Sequence, residues 1–369
     1  MSDLPETVLQ FGGGKFLRAF ADLFIQQAND GGQNVGRVVV VQSTVSERAR
    51  LLNQQQGRYH VLIRGLADGK VIDEAHEVQS IRRALVAQTD WSEVLAVGRS
   101  PELRYVLSNT TETGLVLEPG DRADDAPPKS FPAKLLLVLK ARYESGLPGV
   151  TIVPCELIED NADRLIGLIL EQARLWQQPA AFTDWLQTEC LWRNNLVDRI
   201  VTGKPAEHPL AATDALLITA EPYALWAIEE KRPGPFFENP AIRRTPDVTP
   251  FYLRKVRILN AAHTSLVNIA APRGFTTVRE AVLNPEIAGW LRGLLFEEIV
   301  PTLEGRVEDP EAFAKQTLER FANPFLEHKL SDIALHHEAK VKIRLLPTRD
   351  EYRAKFGREP RYLNEAIGE

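Results

Sequence analysis

The feature that most constrains this chain is a short apolar strand that runs straight into three glycines. Thr7-Val8-Leu9-Gln10-Phe11 is followed at once by Gly12-Gly13-Gly14. Phe16, Leu17, Phe20, Leu23, Phe24 and Ile25 then recur at near-helical spacing until Asp30-Gly31-Gly32 stops the pattern. Arg37 to Val41 supplies a second strand with four consecutive valines, a run suited to burial on both faces of a parallel sheet. Strand, glycine turn, helix, strand is the βαβ signature of an α/β fold with a doubly wound parallel sheet. Such sheets bind ligands at the carboxyl ends of their strands.

The same alternation continues to about residue 150. Further strands are expected at His60 to Arg64, Leu103 to Leu107 and Val150 to Pro154, with helices over Pro132 to Tyr143 and Asn161 to Trp176. Glu118 to Lys129, rich in acid, proline and glycine, reads as an exposed loop. Lys231-Arg232-Pro233-Gly234-Pro235 then breaks the chain, and the remainder is nearly all helical in pattern. Helices are expected over Phe251 to Asn268, Val278 to Leu283, Pro285 to Glu304, Pro310 to Phe321 and Pro324 to Lys340. This predicts two domains, residues 1–235 around the sheet and residues 236–369 forming a mostly α-helical second domain.

Charge and cysteine usage narrow the function. The net charge is −6, which speaks against a nucleic-acid surface but not against a locally cationic pocket. The first residues carry acid and no apolar run behind a basic start, and nowhere do eighteen apolar residues run together, so neither a secretory signal nor a membrane span is expected. Only two cysteines occur, Cys155 and Cys190, without close pairing, which points to a reducing cytoplasm. No metal-ligand spacing is present: His336-His337 stands alone and reads as surface, and Cys155 reads as a small buried side chain. Oligomeric state has no signature in the sequence.

Three segments carry candidate chemistry. Gly12 and Gly14, with Phe16 and Arg18 behind them, would let the backbone approach a pyrophosphate at a helix N-terminus, although Leu17 stands where a third glycine is usual. After the second strand comes Gln42 rather than an acid. Glu47 is the nearest carboxylate, with Arg48 and Arg50 close by, a setting compatible with NAD or NADP. Asn109, Thr111 and Glu112 follow the strand ending near Leu107, where they either line the nicotinamide side of a crevice or cap a turn. The third segment is Lys255-Val256-Arg257-Ile258-Leu259-Asn260-Ala261-Ala262-His263. On an α-helix, Lys255, Asn260 and His263 point within roughly 140° of one another. By periodicity alone this is an amphipathic helix with a solvated Lys/Arg face. Its residue types also suit carbonyl chemistry: a lysine to exchange the proton, an amide to donate to the oxygen, an imidazole to orient a hydroxyl.

Six ordered segments resemble the polyol-specific long-chain dehydrogenases of the mannitol dehydrogenase family over nearly the whole chain. They are Gly12 to Arg18, Phe131-Pro132-Ala133-Lys134, Pro154-Cys155-Glu156-Leu157-Ile158, Val197 to Thr202, Lys255 to His263 and Phe321-Ala322-Asn323-Pro324-Phe325. The resemblance implies a Rossmann-type domain followed by a helical substrate domain, NAD as the cofactor and no metal. It implies Lys255 as general acid/base, Asn260 at the developing oxyanion and His263 on the substrate. Asp198, in Val-Asp-Arg, would face the same cleft or pair with a neighbouring arginine.

Departures from the family point to its branches. A second oxyanion asparagine expected two residues after the cysteine is Leu157 here, so that either Asn161 substitutes or one side-chain donor serves alone. A glutamate expected three residues before the lysine is Tyr252. Both favour a branch other than mannitol itself, and the resemblance implies a small-molecule sugar acid as substrate, a ketose uronate interconverted with its aldonate. A fructuronate-type or neutral polyol substrate is the alternative within the class, and a non-catalytic NAD-binding sensor the alternative outside it. A carboxylated substrate needs a cation, for which Arg257 and Lys340 are the candidates, with Lys342 and Arg254 behind them.

Overall fold

The computed structural model describes residues 4–44, 47–67, 69–110 and 114–368. The chain forms two compact units. The first comprises Met1–Leu62, Ala75–Thr219 and Ala224–Val248, and the second Ile63–Glu74, Ala220–Tyr223 and Thr249–Glu369.

The strands in chain order are β1 (Glu6–Phe11), β2 (Arg37–Gln42), β3 (Tyr59–Ala67), β4 (Lys70–Val78), β5 (Ile81–Val86), β6 (Tyr105–Ser108) and β7 (Thr151–Pro154), then β8 (Leu191–Trp192), β9 (Asn195–Asp198), β10 (Val201–Thr202), β11 (Ile218–Ala220), β12 (Leu225–Glu229) and β13 (Ile242–Thr245). Six of them form one sheet in the order β5-β2-β1-β6-β7-β8, every neighbouring pair parallel. Counting only its own members, the order is 3-2-1-4-5-6, the doubly wound arrangement whose topological switch lies between β1 and β6. The valines of β2 are buried throughout, as a strand covered on both faces requires.

Helices Trp91–Gly98, Phe131–Glu144 and Asn161–Leu175 pack one hydrophobic core with this sheet. Helix Phe131–Glu144 begins as its sequence dictates: the Ser130 hydroxyl accepts from the Ala133 N–H, and Pro132 occupies the first turn. Its buried Arg142 donates to the carbonyls of Pro148, Gly98, Ser100 and Leu103. The loop expected to be exposed is so at most of its residues, and one residue anchors it. Asp121 is buried and accepts from the Lys129 and Ser130 N–H groups, while the Trp176 indole donates to its carbonyl.

Three departures from the sequence reading have local causes. The first expected helix is two, Lys15–Arg18 and Ala21–Asp30, because Phe20 leaves helical geometry (φ −130°, ψ −92°). β5 is a full member of the sheet although Arg82 and Arg83 interrupt its apolar run. In the second unit the segment expected as one helix from Pro324 to Lys340 holds two, Leu330–Ala334 and His337–Arg344. His336, at φ +57°, turns the backbone left-handed between them. The core of this unit is built by the helices around Ala261–Ile269, Pro285–Gly293 and Pro310–Phe321.

Candidate active site

In the first unit, the carboxyl ends of four adjacent strands are laced together. The Gly12 N–H donates to the Val41 carbonyl, Asn109 N–H to Phe11, and Cys155 N–H to Ser108, at 3.0, 3.1 and 2.7 Å. The topological switch between β1 and β6 is therefore where Gly12 meets Asn109. Gly12 sits at φ +113°, and a Cβ there would stand 3.0 Å from the Asn109 carbonyl oxygen, so only glycine fits. Gly14 opens onto space, with nothing within 4 Å of an added Cβ. A backbone that close, at the switch of a doubly wound sheet, fits a dinucleotide pyrophosphate.

The remaining residues read as cofactor contacts are placed as follows. Phe16 is half-buried and stacks on Phe20. Arg18 is buried, donating to the Gly13 and Leu216 carbonyls and lying over the Tyr59 ring, so it braces the glycine turn from behind. Gln42 is held at both ends of its amide, by the Thr44 carbonyl and the Ala49 N–H. The Asn109 amide donates to the Cys155 carbonyl at 2.6 Å. Thr111 and Glu112 lie outside the described residues. Glu156 had no assigned role in the sequence, yet it organises this edge. It is buried and accepts from the Ser108 hydroxyl, the Thr110 N–H and the Thr110 hydroxyl, and burial raises its carboxyl above the ordinary value.

Asn161 stands in the same unit with its amide fully engaged. Its Nδ2 donates to the Glu156 and Asn195 carbonyls at 3.1 and 3.0 Å, and its Oδ1 accepts from the Asn195 N–H at 3.1 Å. Asp198 is buried at the end of β9, opposite Leu225 of β12.

In the second unit the Lys255–His263 segment is helical but not wholly α-helical. Thr249–Arg254 is α, Lys255–Asn260 forms a π-helical turn, and Ala261–Ile269 returns to α. The wider i→i+5 turn brings residue 260 closer to the azimuth of residue 255 than the 140° of an α-helix. π-turns of this kind are frequent at functional sites. Lys255 is half-buried, and Asn260 and His263 are buried. Asn260 Nδ2 and His263 Nε2 are both buried without a hydrogen-bond partner. Two such atoms three residues apart mark a place where a ligand would complete the hydrogen bonding.

His263 stacks on Phe321 at 4.2 Å between centroids and meets the edge of His328 at 4.6 Å. Burial first, then His328, Arg320, Arg344 and Lys255, hold its pKa well below the ordinary histidine value. It is therefore neutral at pH 7. Arg320 forms a buried, bidentate pair with Glu221, at 2.9 and 2.7 Å. Asn323 donates to the Arg64 carbonyl, fixing the Phe321-to-Phe325 turn beside the imidazole.

The cations proposed for a substrate carboxylate separate. Arg257 is buried and donates to Thr348 Oγ1 at 2.7 Å and to Glu351 at 3.2 Å. The Lys340 ammonium donates to the Ile333 carbonyl at 2.8 Å. Arg344, not singled out in the sequence, donates to Thr264 Oγ1 at 3.2 Å, and Thr264 in turn donates to the Asn260 carbonyl at 2.9 Å. Arg344 lies four residues after Lys340 on helix His337–Arg344, so helical spacing puts the two on one face. Among the described residues no group of three His, Cys, Asp or Glu side chains is placed to hold a metal ion, and no helix is long and apolar enough to cross a membrane.

A six-stranded parallel sheet with a glycine turn at its switch, followed by a helical unit bearing a lysine, an amide and an imidazole on one helix, defines a dehydrogenase of Rossmann type. The chain belongs to the mannitol dehydrogenase family: that family's Rossmann domain matches residues 6–238 and its C-terminal domain residues 247–368. It is 38% identical over 378 residues to the altronate oxidoreductase of Bacillus subtilis, covering 97% of this chain and 78% of that protein. It is 41% identical over 380 residues to the altronate oxidoreductase of Halalkalibacterium halodurans, covering 98% of this chain and 74% of the relative. The fold is shared with a Pseudomonas fluorescens mannitol 2-dehydrogenase solved with NAD and D-mannitol, at 22% identity, TM-score 0.85, and coverage of 99% of this chain and 78% of that one.

Proposed function

We propose that this protein is an NAD-dependent altronate oxidoreductase, interconverting tagaturonate and altronate. The observation that carries the reading is the pair of unpartnered buried nitrogens, Asn260 Nδ2 and His263 Nε2, on the helix that also presents Lys255. Relatives named altronate oxidoreductase at 38–41% identity support the substrate class. The glycine turn and the Gly12–Asn109 contact support NAD, which when bound supplies or accepts the hydride.

In the reducing direction Lys255 Nζ delivers a proton to the carbonyl oxygen as the carbon receives its hydride, and in the oxidising direction it takes the hydroxyl proton. Asn260 Nδ2 donates to the oxygen while negative charge builds on it. Asn161 has spent its amide on the Glu156 and Asn195 backbone, which supports Asn260 as the amide serving the reaction. His263, neutral, hydrogen-bonds a substrate hydroxyl without adding a second charge beside the lysine. We assign the substrate carboxylate to Arg344, which reaches the same helix through Thr264. A reducing cytoplasm suits the two buried free thiols, Cys155 and Cys190.

The test is NADH oxidation with tagaturonate, fructuronate and fructose, repeated with NADPH. Tagaturonate with NADH is expected to give the highest kcat/KM. Equal turnover of fructose would remove the carboxylate argument, and preference for fructuronate would reassign the substrate.

A further inference from the structure

The first unit has a second concavity, at the opposite end of the sheet from the glycine turn. It encloses about 520 Å³ and is lined by Arg37, Arg58, Arg82 and Arg83, with Asn53 and Gln79 and no acidic side chain. Arg37 opens β2 and Arg82 is the second residue of β5, so the cavity lies at the amino edge of the parallel sheet. Gly12 and Asn109 lie at the carboxyl edge. The six residues of β2 alone separate the two edges by roughly 17 Å.

The cavity is built rather than incidental. Arg37 is only 7% exposed, its Nη2 donates to the Gln79 and Ile81 carbonyls at 3.1 and 2.8 Å, and its Nε is buried without a partner. Gly57, at φ +76°, brings the Arg58 segment so close to the start of β5 that a Cβ would stand 2.0 Å from the Ile81 oxygen. Asn53 clamps both the N–H and the carbonyl of Ala84 at 2.8 Å. The four guanidinium groups are unequally neutralised. Arg83 is paired with Glu6 and Glu93, whereas among the described residues Arg58 is paired with Glu77 alone, at 3.8 Å. Among the described residues no carboxylate forms an ion pair with Arg37 or Arg82. Burial, then the neighbouring Arg82, disfavours the charged form of Arg37, Glu6 offsets this in part, and Arg58 adds to it. Because a guanidinium does not give up its proton, that repulsion is a standing cost which a bound anion would relieve.

We propose that this arginine-lined cavity is a binding site for a phosphate-bearing small molecule. Three cations from separate segments, Arg37, Arg58 and Arg82, match a group that carries about two negative charges on one centre, as a phosphate does and a single carboxylate does not. The volume leaves room for an organic body beyond the phosphate. The chain as a whole is acidic, which makes this concentration of positive charge local.

The experiment is isothermal titration of the full chain with inorganic pyrophosphate and with citrate, at constant ionic strength and with NADH saturating the carboxyl edge. Pyrophosphate is expected to bind saturably in the presence of NADH, and more tightly than citrate. Arg58→Gln and Arg82→Gln alter exposed side chains, so folding should survive, and each should weaken pyrophosphate about tenfold through loss of a charge-assisted hydrogen bond. Absence of saturable binding by the unaltered chain, equal binding by the variants, equal binding of citrate, or loss of binding under NADH would each overturn the proposal.

Discussion

Two buried asparagines, one in each unit, are used in opposite ways. Asn161 is 1% exposed and spends its amide on the backbone of Glu156 and Asn195, locking the start of helix Asn161–Leu175 to β9. Asn260 is 7% exposed, and its Nδ2 has no acceptor. An unmade buried hydrogen bond costs on the order of 1–3 kcal/mol. A side chain that satisfies its neighbours holds the fold together, whereas one left unsatisfied at a helix surface is available to a ligand.

The largest expected effect falls on the chemical side. Lys255→Ala should lower kcat by about 10²–10⁴-fold, and Asn260→Ala by about 10²–10³-fold, with NADH affinity retained in both. Asn161→Ala should instead cost on the order of 2–4 kcal/mol in urea unfolding. If Asn161→Ala matched Asn260→Ala in kcat at unchanged stability, the division between the two asparagines would fail. Next in size is the pair of arginines. Arg344→Gln should raise KM for a uronate about 10–100-fold while leaving fructose unaffected, since it removes one charge-assisted contact. Arg257→Gln, which breaks contacts to Thr348 and Glu351, should change stability and leave the uronate preference alone. An exchange of those outcomes would move the carboxylate to Arg257.

An effect read through pH sharpens the contrast from within the first unit. Asp22 is fully buried beside Gln10, its Oδ1 and Gln10 Oε1 lack partners, and burial raises its carboxyl to about 7. Here the missing partner is a proton rather than a ligand. The folded state holds that proton more tightly than the unfolded chain does, so this residue's contribution to stability falls as pH rises from about 4 to about 7. Asp22→Asn should therefore gain over the unaltered chain by about 2–3 kcal/mol more at pH 8 than at pH 5. A pH-independent difference in denaturant unfolding would show that Asp22 is charged throughout.

Much of this architecture is legible in the residues. The valines of β2 and the apolar strand before Gly12 declare a parallel sheet because strands covered on both faces need no polar alternation. β5 escapes notice because Arg82 and Arg83 break its apolar run. The loop from Glu118 to Lys129 is exposed at most of its residues, as its composition says, while Asp121 anchors it through contacts that composition does not reveal. At the candidate site, residue types are readable but their azimuths are not. An α-helical period is the natural assumption, and nothing in Lys255-Val256-Arg257-Ile258-Leu259-Asn260 announces a wider turn. Arg344 was within reach of i, i+4 spacing from Lys340, whereas His328 and the Glu221–Arg320 pair are brought to His263 only by tertiary packing.

The wide turn between Lys255 and Asn260 has a consequence for how such a site can be inherited. A π-turn amounts to one residue inserted into an α-helix and absorbed by the wider turn, so removing one residue there would restore regular hydrogen bonding and leave the helix beyond it nearly in place. The shortened helix would be more regular, and Asn260 and His263 would still share a side with Lys255, about 40° and 20° from it. The five-residue interval and the wide turn therefore belong together: regularising the turn without shortening the chain would swing Asn260 to about 140° from Lys255.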